Sequence, residues 1–327
     1  MKRIVYLMGV AFVLMLALVS CTSADADLSD TITVNQANSI TLKKIQEYNQ
    51  VMLLQHPQTR GTNGGLKIAA HDIVGAFSGI NAGKAIAGLF GIATGGTGSA
   101  ATIIGCGIIG GAAASYKCYR NNKGLTTKIE NFYKYSLNII NENLKSDTTN
   151  YYIPYMYNPK IIHVKLPKDF ETLKDVGEAH NKLLLGSNYS SPSTKATVVR
   201  DPVDAKIPPI LTLDKEKVKI ALNSKDFKNQ FDKIISNLDK STIDGELDIN
   251  GYFRKNPTGS VRAENAIKEY LKLFTTYPEN VDDIIQITND YINIIESNNE
   301  FNDDEKAMIY AGLMVSIYSP QIWDNFK

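Results

Sequence analysis

Residues 75–115 read GAFSGINAGKAIAGLFGIATGGTGSAATIIGCGIIGGAAAS. Counting in fours from Gly75 reaches Gly79, Gly83, Ala87, Gly91, Gly95 and Ser99, passes Ile103, and resumes with Gly107, Gly111 and Ser115. Four-residue spacing places these small residues on one slowly drifting face of a helix. Each glycine costs about 1 kcal/mol against alanine in a water-exposed helix, so Gly75, Gly79, Gly83, Gly88 and Gly91 together demand roughly 5 kcal/mol of compensation. Close approach of two backbones, with no side chains between them, supplies it. GGTG at 95–98 provides a turn. The expectation is therefore a helical hairpin over 66–120, with arms of about 22 residues or about 33 Å.

Two environments suit such a hairpin, and the sequence leaves both open. Arms of about 33 Å match a hydrocarbon core of about 30 Å, and the second arm, Ser99 to Ser115, carries no charge. His71 and Asp72 fall at the open end, where headgroups would receive them. Lys84 falls mid-arm, where insertion costs about 2.5–3.5 kcal/mol; it needs snorkelling or a wet face. The other environment is a hairpin buried in a soluble fold, packed against the next helix.

The ladder resembles the glycine-zipper segments of outer-membrane lipoproteins and of membrane-active, class II bacteriocin-like peptides. That resemblance is compositional and confined to 66–120. It implies packing in or on a membrane or self-association through the ladder, and a membrane-active, antagonistic role. The alternative is a non-enzymatic binding or scaffold protein with a packed hairpin.

The chain opens MKRIVYLMGVAFVLMLALVSC. Two basic residues, a short apolar run and small residues before a cysteine have the layout of an export signal, residues 1–20. LVSC at 18–21 resembles the lipobox of bacterial lipoproteins. The resemblance implies that Cys21 becomes the lipidated N-terminus, its palmitate-type acyl chains holding the protein to membrane lipid without a spanning helix. Thr22 replaces the aspartate of inner-membrane retention, so an outer-membrane or cell-surface address in a Gram-negative bacterium is expected. Residues 21–38 are polar and aperiodic and read as a tether.

The remainder is mainly α. Leu42, Ile45, Tyr48, Met52 and Leu53 follow helical spacing after Thr41, completing a helical region over 39–145 that closes with an amphipathic helix at about 126–144. The middle, 146–215, is irregular, with the aromatic tract YYIPYMY, a strand candidate KIIHVKL, one short helix at about 170–185 and a proline-rich linker. Helical periodicity returns over 216–327, read as a small C-terminal bundle. Its last helix starts at Asn302 and Glu305, which have capping-box spacing, and stops at Pro320.

Chemistry is sparse. The chain has 35 basic and 34 acidic side chains, which gives no nucleic-acid footprint. Cys106 and Cys118, twelve positions apart, would lie about 18 Å apart along one helix, too far for a disulfide. In DVGEAHNKLL (175–184), His180 shares an apolar stripe with Leu173, Val176, Leu183 and Leu184, which describes a packed core histidine; any enzymatic reading would centre on it. DGELDING (244–251) imitates the start of a calcium loop, but Pro257 occupies the position of the bidentate glutamate, so a polar turn is expected and no metal. The sequence thus predicts no catalytic residue, no cofactor beyond the lipid, and an unidentified protein or glycan partner.

Overall fold

The glycine-rich segment folds as two long helices, α2 (Gly64–Leu89) and α3 (Thr97–Asn122), that lie against each other along their small faces. The computed structural model describes residues 39–55, 64–89, 97–122, 130–134, 136–138, 163–186 and 215–323. The leader, Cys21, the tether, Gly91, Gly95, the aromatic tract and the 187–214 linker lie outside the described residues.

Backbone contact is what the glycines supply. A Cβ at Gly75 would sit 2.5 Å from the Gly110 carbonyl oxygen and 2.7 Å from Ala114 Cβ, and one at Gly110 would sit 2.5 Å from the Gly75 oxygen. One turn on, a Cβ at Gly79 would collide with the Cys106 carbonyl. Gly107 faces the tip of Ile80, whose Cδ1 would lie 2.7 Å from an added Cβ. Gly83 and Ala87 continue the buried face toward the end of α2. The facing partner of Gly75 is thus Gly110, a residue off the four-residue count.

All residues of 68–80 and of 105–115 are buried, so these stretches of the two arms are enclosed on every side, as expected of a helix that is apolar all round. The enclosure comes from the rest of the chain. After α1 (Ile40–Gln55) and the hairpin come a 3-10 turn (Lys168–Leu173), α4 (Lys174–Gly186), α5 (Lys215–Leu222) and α6 (Lys225–Lys240). A two-stranded hairpin, β1 (Thr242–Ile243) and β2 (Glu246–Leu247), leads to α7 (Ile249–Lys255), α8 (Val261–Phe274), α9 (Val281–Glu296) and α10 (Asp303–Trp323). The expected mainly α class is the observed one. The chief neighbour of α2 other than α3 is α10, and α4, α6 and α8 also reach the hairpin.

Four sequence expectations change here. First, 216–327 is not a separate bundle: Thr41–Lys327 forms one compact unit, because α10 is itself buried nearly throughout and packs on α2. Second, no helix among the described residues is long and apolar enough to cross a membrane; Lys67, His71, Asp72 and Lys84 interrupt α2. Third, α10 continues through Pro320 to Trp323, since a proline removes one backbone hydrogen bond whereas the last turn carries the buried Trp323 side chain. Fourth, residues 163–167 are extended without a strand partner. Their ladder is completed by one side chain, Asn289, whose Oδ1 accepts from Lys165 N (3.2 Å) and whose Nδ2 donates to the His163 oxygen (3.3 Å).

The caps explain where the outer helices begin. Ser224 accepts from Phe227 N and Ser260 from Ala263 N, each satisfying one orphan donor. Asn280 and Asp283 form a reciprocal capping box. Asn302 and Glu305 do the same, each side chain accepting from the other's backbone N–H at 2.9 Å. The DG pair of the former calcium candidate is the β-hairpin turn, with Asp244 and Gly245 both at positive φ, the two-residue form that such turns favour. Asp248 caps α7 through Gly251 N.

Candidate functional site

The polar residues that interrupt the hairpin are the ones that gather into a site. Asp72 is wholly buried on α2. α10 runs antiparallel along α2, tied near one end by Lys84 Nζ to Asp304 Oδ2 at 2.7 Å and at the other by Ser319 and Trp323. The Ser319 hydroxyl donates to Asp72 Oδ2, and Trp323 Nε1 donates to the same oxygen at 3.3 Å. Trp323, the single tryptophan, also stacks on Tyr119 of α3.

His180 arrives from α4 because two glycines make room. At Gly177 an added Cβ would strike the Met314 carbonyl of α10, so α4 rests directly on the α10 backbone there. Three residues later, on the same helix face, His180 passes over Gly111, where a Cβ would lie 3.0 Å from the ring Cδ2. The ring then places Nε2 3.6 Å from Asp72 Oδ2 and 3.4 Å from Ser115 Oγ. Both His180 and Asp72 are fully buried.

The hydrogen-bond pattern fixes the tautomer. Asn181 Nδ2 donates to the Tyr318 carbonyl at 2.7 Å, and a carbonyl only accepts. Asn181 Oδ1 therefore faces His180 Nδ1, 2.9 Å away, and Nδ1 carries the proton. Nε2 lies toward Ser115 and Asp72. Burial raises the Asp72 carboxyl to about 7, opposed by the donors Ser115, Ser319 and Trp323. Burial likewise lowers His180 to about 4, opposed by the acceptors Asn181 and the Gly111 carbonyl. Asp72 Oδ1 has no hydrogen-bond partner.

Serine, histidine and aspartate are all present, but not as a relay. A nucleophilic triad needs the serine and the carboxylate on opposite ring nitrogens, whereas Ser115 and Asp72 share Nε2. Asp72, Ser115 and His180 are all at zero exposure, and the arrangement binds four helices together. Among the described residues no group of three His, Cys, Asp or Glu could hold a metal ion.

His71, one residue before Asp72, points elsewhere. Its Nδ1 lies 2.9 Å from the Lys67 oxygen and its Nε2 3.0 Å from Thr242 Oγ1, at the rim of a small cleft lined also by Lys117, Cys118, Asn121 and Asp239. Burial lowers its pKa. Cys106 and Cys118 are both buried thiols, and burial pushes the Cys106 thiol well above its ordinary range.

Of the residues singled out in the sequence, the structure brings together His180, Gly111 and Ser115. It places Gly75, Gly79 and Gly107 at the helix interface and leaves Cys21, Gly91 and Gly95 outside the described residues. The expectation that His71 and Asp72 meet headgroups is corrected: both lie in the interior. Sequence reasoning named Asp72 but set it among headgroups, and it missed Gly110, Gly177, Ser319 and Trp323. The one available signal was an aspartate within a largely apolar helix, which when buried requires partners. Set against family models, curated proteins and solved structures, the chain matches none.

Proposed function

We propose that this chain is a lipid-anchored, non-enzymatic binding or scaffold protein of the bacterial outer membrane or cell surface, with the glycine-rich hairpin as its internal spine. The lipobox-like LVSC and Cys21 support the anchor, and the polar tether then sets a helical body off the lipid. The observation that carries the choice over a membrane-active role is the use to which the ladder is put. Gly75, Gly79 and Gly107 meet the chain's own second arm, and Lys84 is engaged by Asp304. A small-residue face already filled by backbone is not offered to lipid or to a second copy. The partner is a protein or glycan met by the outer helices.

Cys106, buried on α3, provides the test. With Cys118→Ser and Cys21 kept for lipidation, a water-soluble maleimide is expected to leave Cys106 unmodified, equally in membranes and, for the Cys21→Ser form, in lipid-free buffer. Denaturation exposes it in both. Modification in buffer that lipid suppresses would place the ladder against the bilayer and return the membrane-active reading to first place. Failure of Cys21→Ser to release the protein from membranes would remove the anchor.

A further inference from the structure

Asp72 and His180 face each other across α2 and α4 at 3.6 Å with no exposure, and the surrounding groups determine where the protons lie. From α3 Ser115 and the Gly111 carbonyl turn toward the pair, and from α10 Ser319 and Trp323. The nearby charges on the same elements are engaged elsewhere. Lys117 pairs with Asp239, Lys182 with Glu178, and Lys84 with Asp304. Lys67 pairs with Glu246 and Arg120 lies over the Tyr116 ring, while His71 bonds Lys67 and Thr242. Among the described residues, then, no third charge compensates the pair.

An ionised Asp72 would leave Oδ1, with no donor, carrying part of a buried charge. An imidazolium would hold its second N–H with Nε2 3.6 Å from Asp72 Oδ2, beyond hydrogen-bond reach, so a buried ion pair would lack the contact that offsets its desolvation. Two neutral groups avoid both costs: the Asp72 carboxyl holds one proton, and Nδ1–H stays on Asn181. In water the order is the reverse, since near pH 5.5 a free aspartate is ionised and a free histidine protonated.

We propose that folding transfers a proton from His180 to Asp72, breaking Nε2–H and forming an O–H on the carboxyl, so that the hairpin is clasped to α4 and α10 by a charge-neutral pair. Chain and solvent exchange no net proton in this step. Between about pH 4 and 6.5 the folded and unfolded pair each hold one dissociable proton, and linkage then gives no pH dependence. The clasp is insulated from acid by the opposition of its two members, and removing either member exposes the other.

The test uses the chain from residue 21 onward carrying Cys21→Ser, at pH 5.5. Long-range 1H–15N correlation of the ring nitrogens is expected to give neutral His180 with the proton on Nδ1. Isotope-edited infrared spectroscopy is expected to give a protonated-carboxyl band that Asp72→Asn removes. An imidazolium pattern with a carboxylate band, or a ring titrating near its ordinary midpoint, would overturn the proposal. Both spectra come from the intact pair; if His180→Gln does not fold, the ring is assigned by replacing the other three histidines.

Where the variants fold, their pH profiles diverge. In Asp72→Asn, a histidine whose folded pKa is depressed remains. The folding constant is then expected to fall by close to tenfold per pH unit on acidification from 6.5 toward 4. In His180→Gln, an aspartate whose folded pKa is raised remains, and the constant is expected to fall by a similar factor as pH rises from about 4 toward 7. Slopes of the same sign would refute the exchange.

Discussion

Replacing Gly75 and Gly105 by alanine separates the cost of a helical glycine from its use. The two lie on facing arms of one hairpin, and both substitutions recover about 1 kcal/mol of helix propensity. At Gly105 the new methyl would have Leu222 Cδ1 as its nearest neighbour at 3.7 Å, an ordinary contact, so stability should rise by up to about 1 kcal/mol. At Gly75 the methyl would lie 2.5 Å from the Gly110 oxygen and 2.7 Å from Ala114 Cβ. Normal separation needs nearly 1 Å more, and neither neighbour is a flexible side-chain tip. Overpacking of this kind costs about 1–3 kcal/mol. Contact with fixed backbone belongs at the top of that range, which leaves a net loss of about 2 kcal/mol after the propensity gain. The two variants should therefore differ by about 3 kcal/mol, or roughly 6–12 °C in Tm for a chain of this size. Urea unfolding followed by circular dichroism reads the difference, with an unchanged slope indicating an unchanged unfolded state. Equal shifts in the two variants would refute the reading that the ladder exists for backbone contact.

Other perturbations probe the same spine. Trp323→Phe keeps the stack on Tyr119 but removes the indole donor to Asp72; it should cost about 1–3 kcal/mol, measured by urea midpoint. Because Trp323 is the only tryptophan, its emission should be that of a buried indole and shift to the red in the same transition that exposes Cys106. Lys84→Met should change stability by less than about 1 kcal/mol, because the partner carboxylate is mostly exposed and such pairs are weak; a loss of several kcal/mol would contradict the assigned environment. Gly245→Ala, at φ 81°, should cost about 1 kcal/mol or more through the left-handed backbone alone, without altering Cys106 protection.

The hairpin could be read from sequence because glycine cost and four-residue spacing are both local quantities. Its true register could not. The count in fours lists residues on one face of each arm, whereas the contact depends on the offset between arms, and that offset brings Gly110, rather than a counted residue, onto Gly75. The outer helices announced themselves through caps such as Asn302 with Glu305, again a local signal. The clasp combines residues 72, 115, 180, 319 and 323, on four helices, and no local pattern connects them. His180 was recognisable as a core histidine from its stripe, but its partner was not. The extension of α10 past Pro320 was hidden for the same reason, because what sustains its last turn is an aspartate far away in sequence.

The two readings of the ladder, membrane hairpin and packed hairpin, make the same demand for close backbone approach and differ only in what covers the outer faces. Small residues therefore could not decide between them, and it is the polar residues that bear on the choice. Buried carboxyl and imidazole groups persist in a dry interior only where partners are fixed in place. A lipid phase offers none to Asp72, whereas Ser319, Trp323 and His180 supply them from α10 and α4. Were the arms to leave the body for a bilayer, Asp72 and His180 would separate, and each would carry its own desolvation cost into hydrocarbon, with Lys84 adding a third. The cluster that secures the hairpin inside the protein is thus the same feature that would oppose its insertion. Asp72→Asn combined with His180→Gln removes that opposition. If the doubly substituted chain folds and still leaves dye-loaded liposomes intact, the packed spine is the whole role of the hairpin. If it permeabilises them while the unsubstituted chain does not, the clasp is what restrains a membrane-seeking segment.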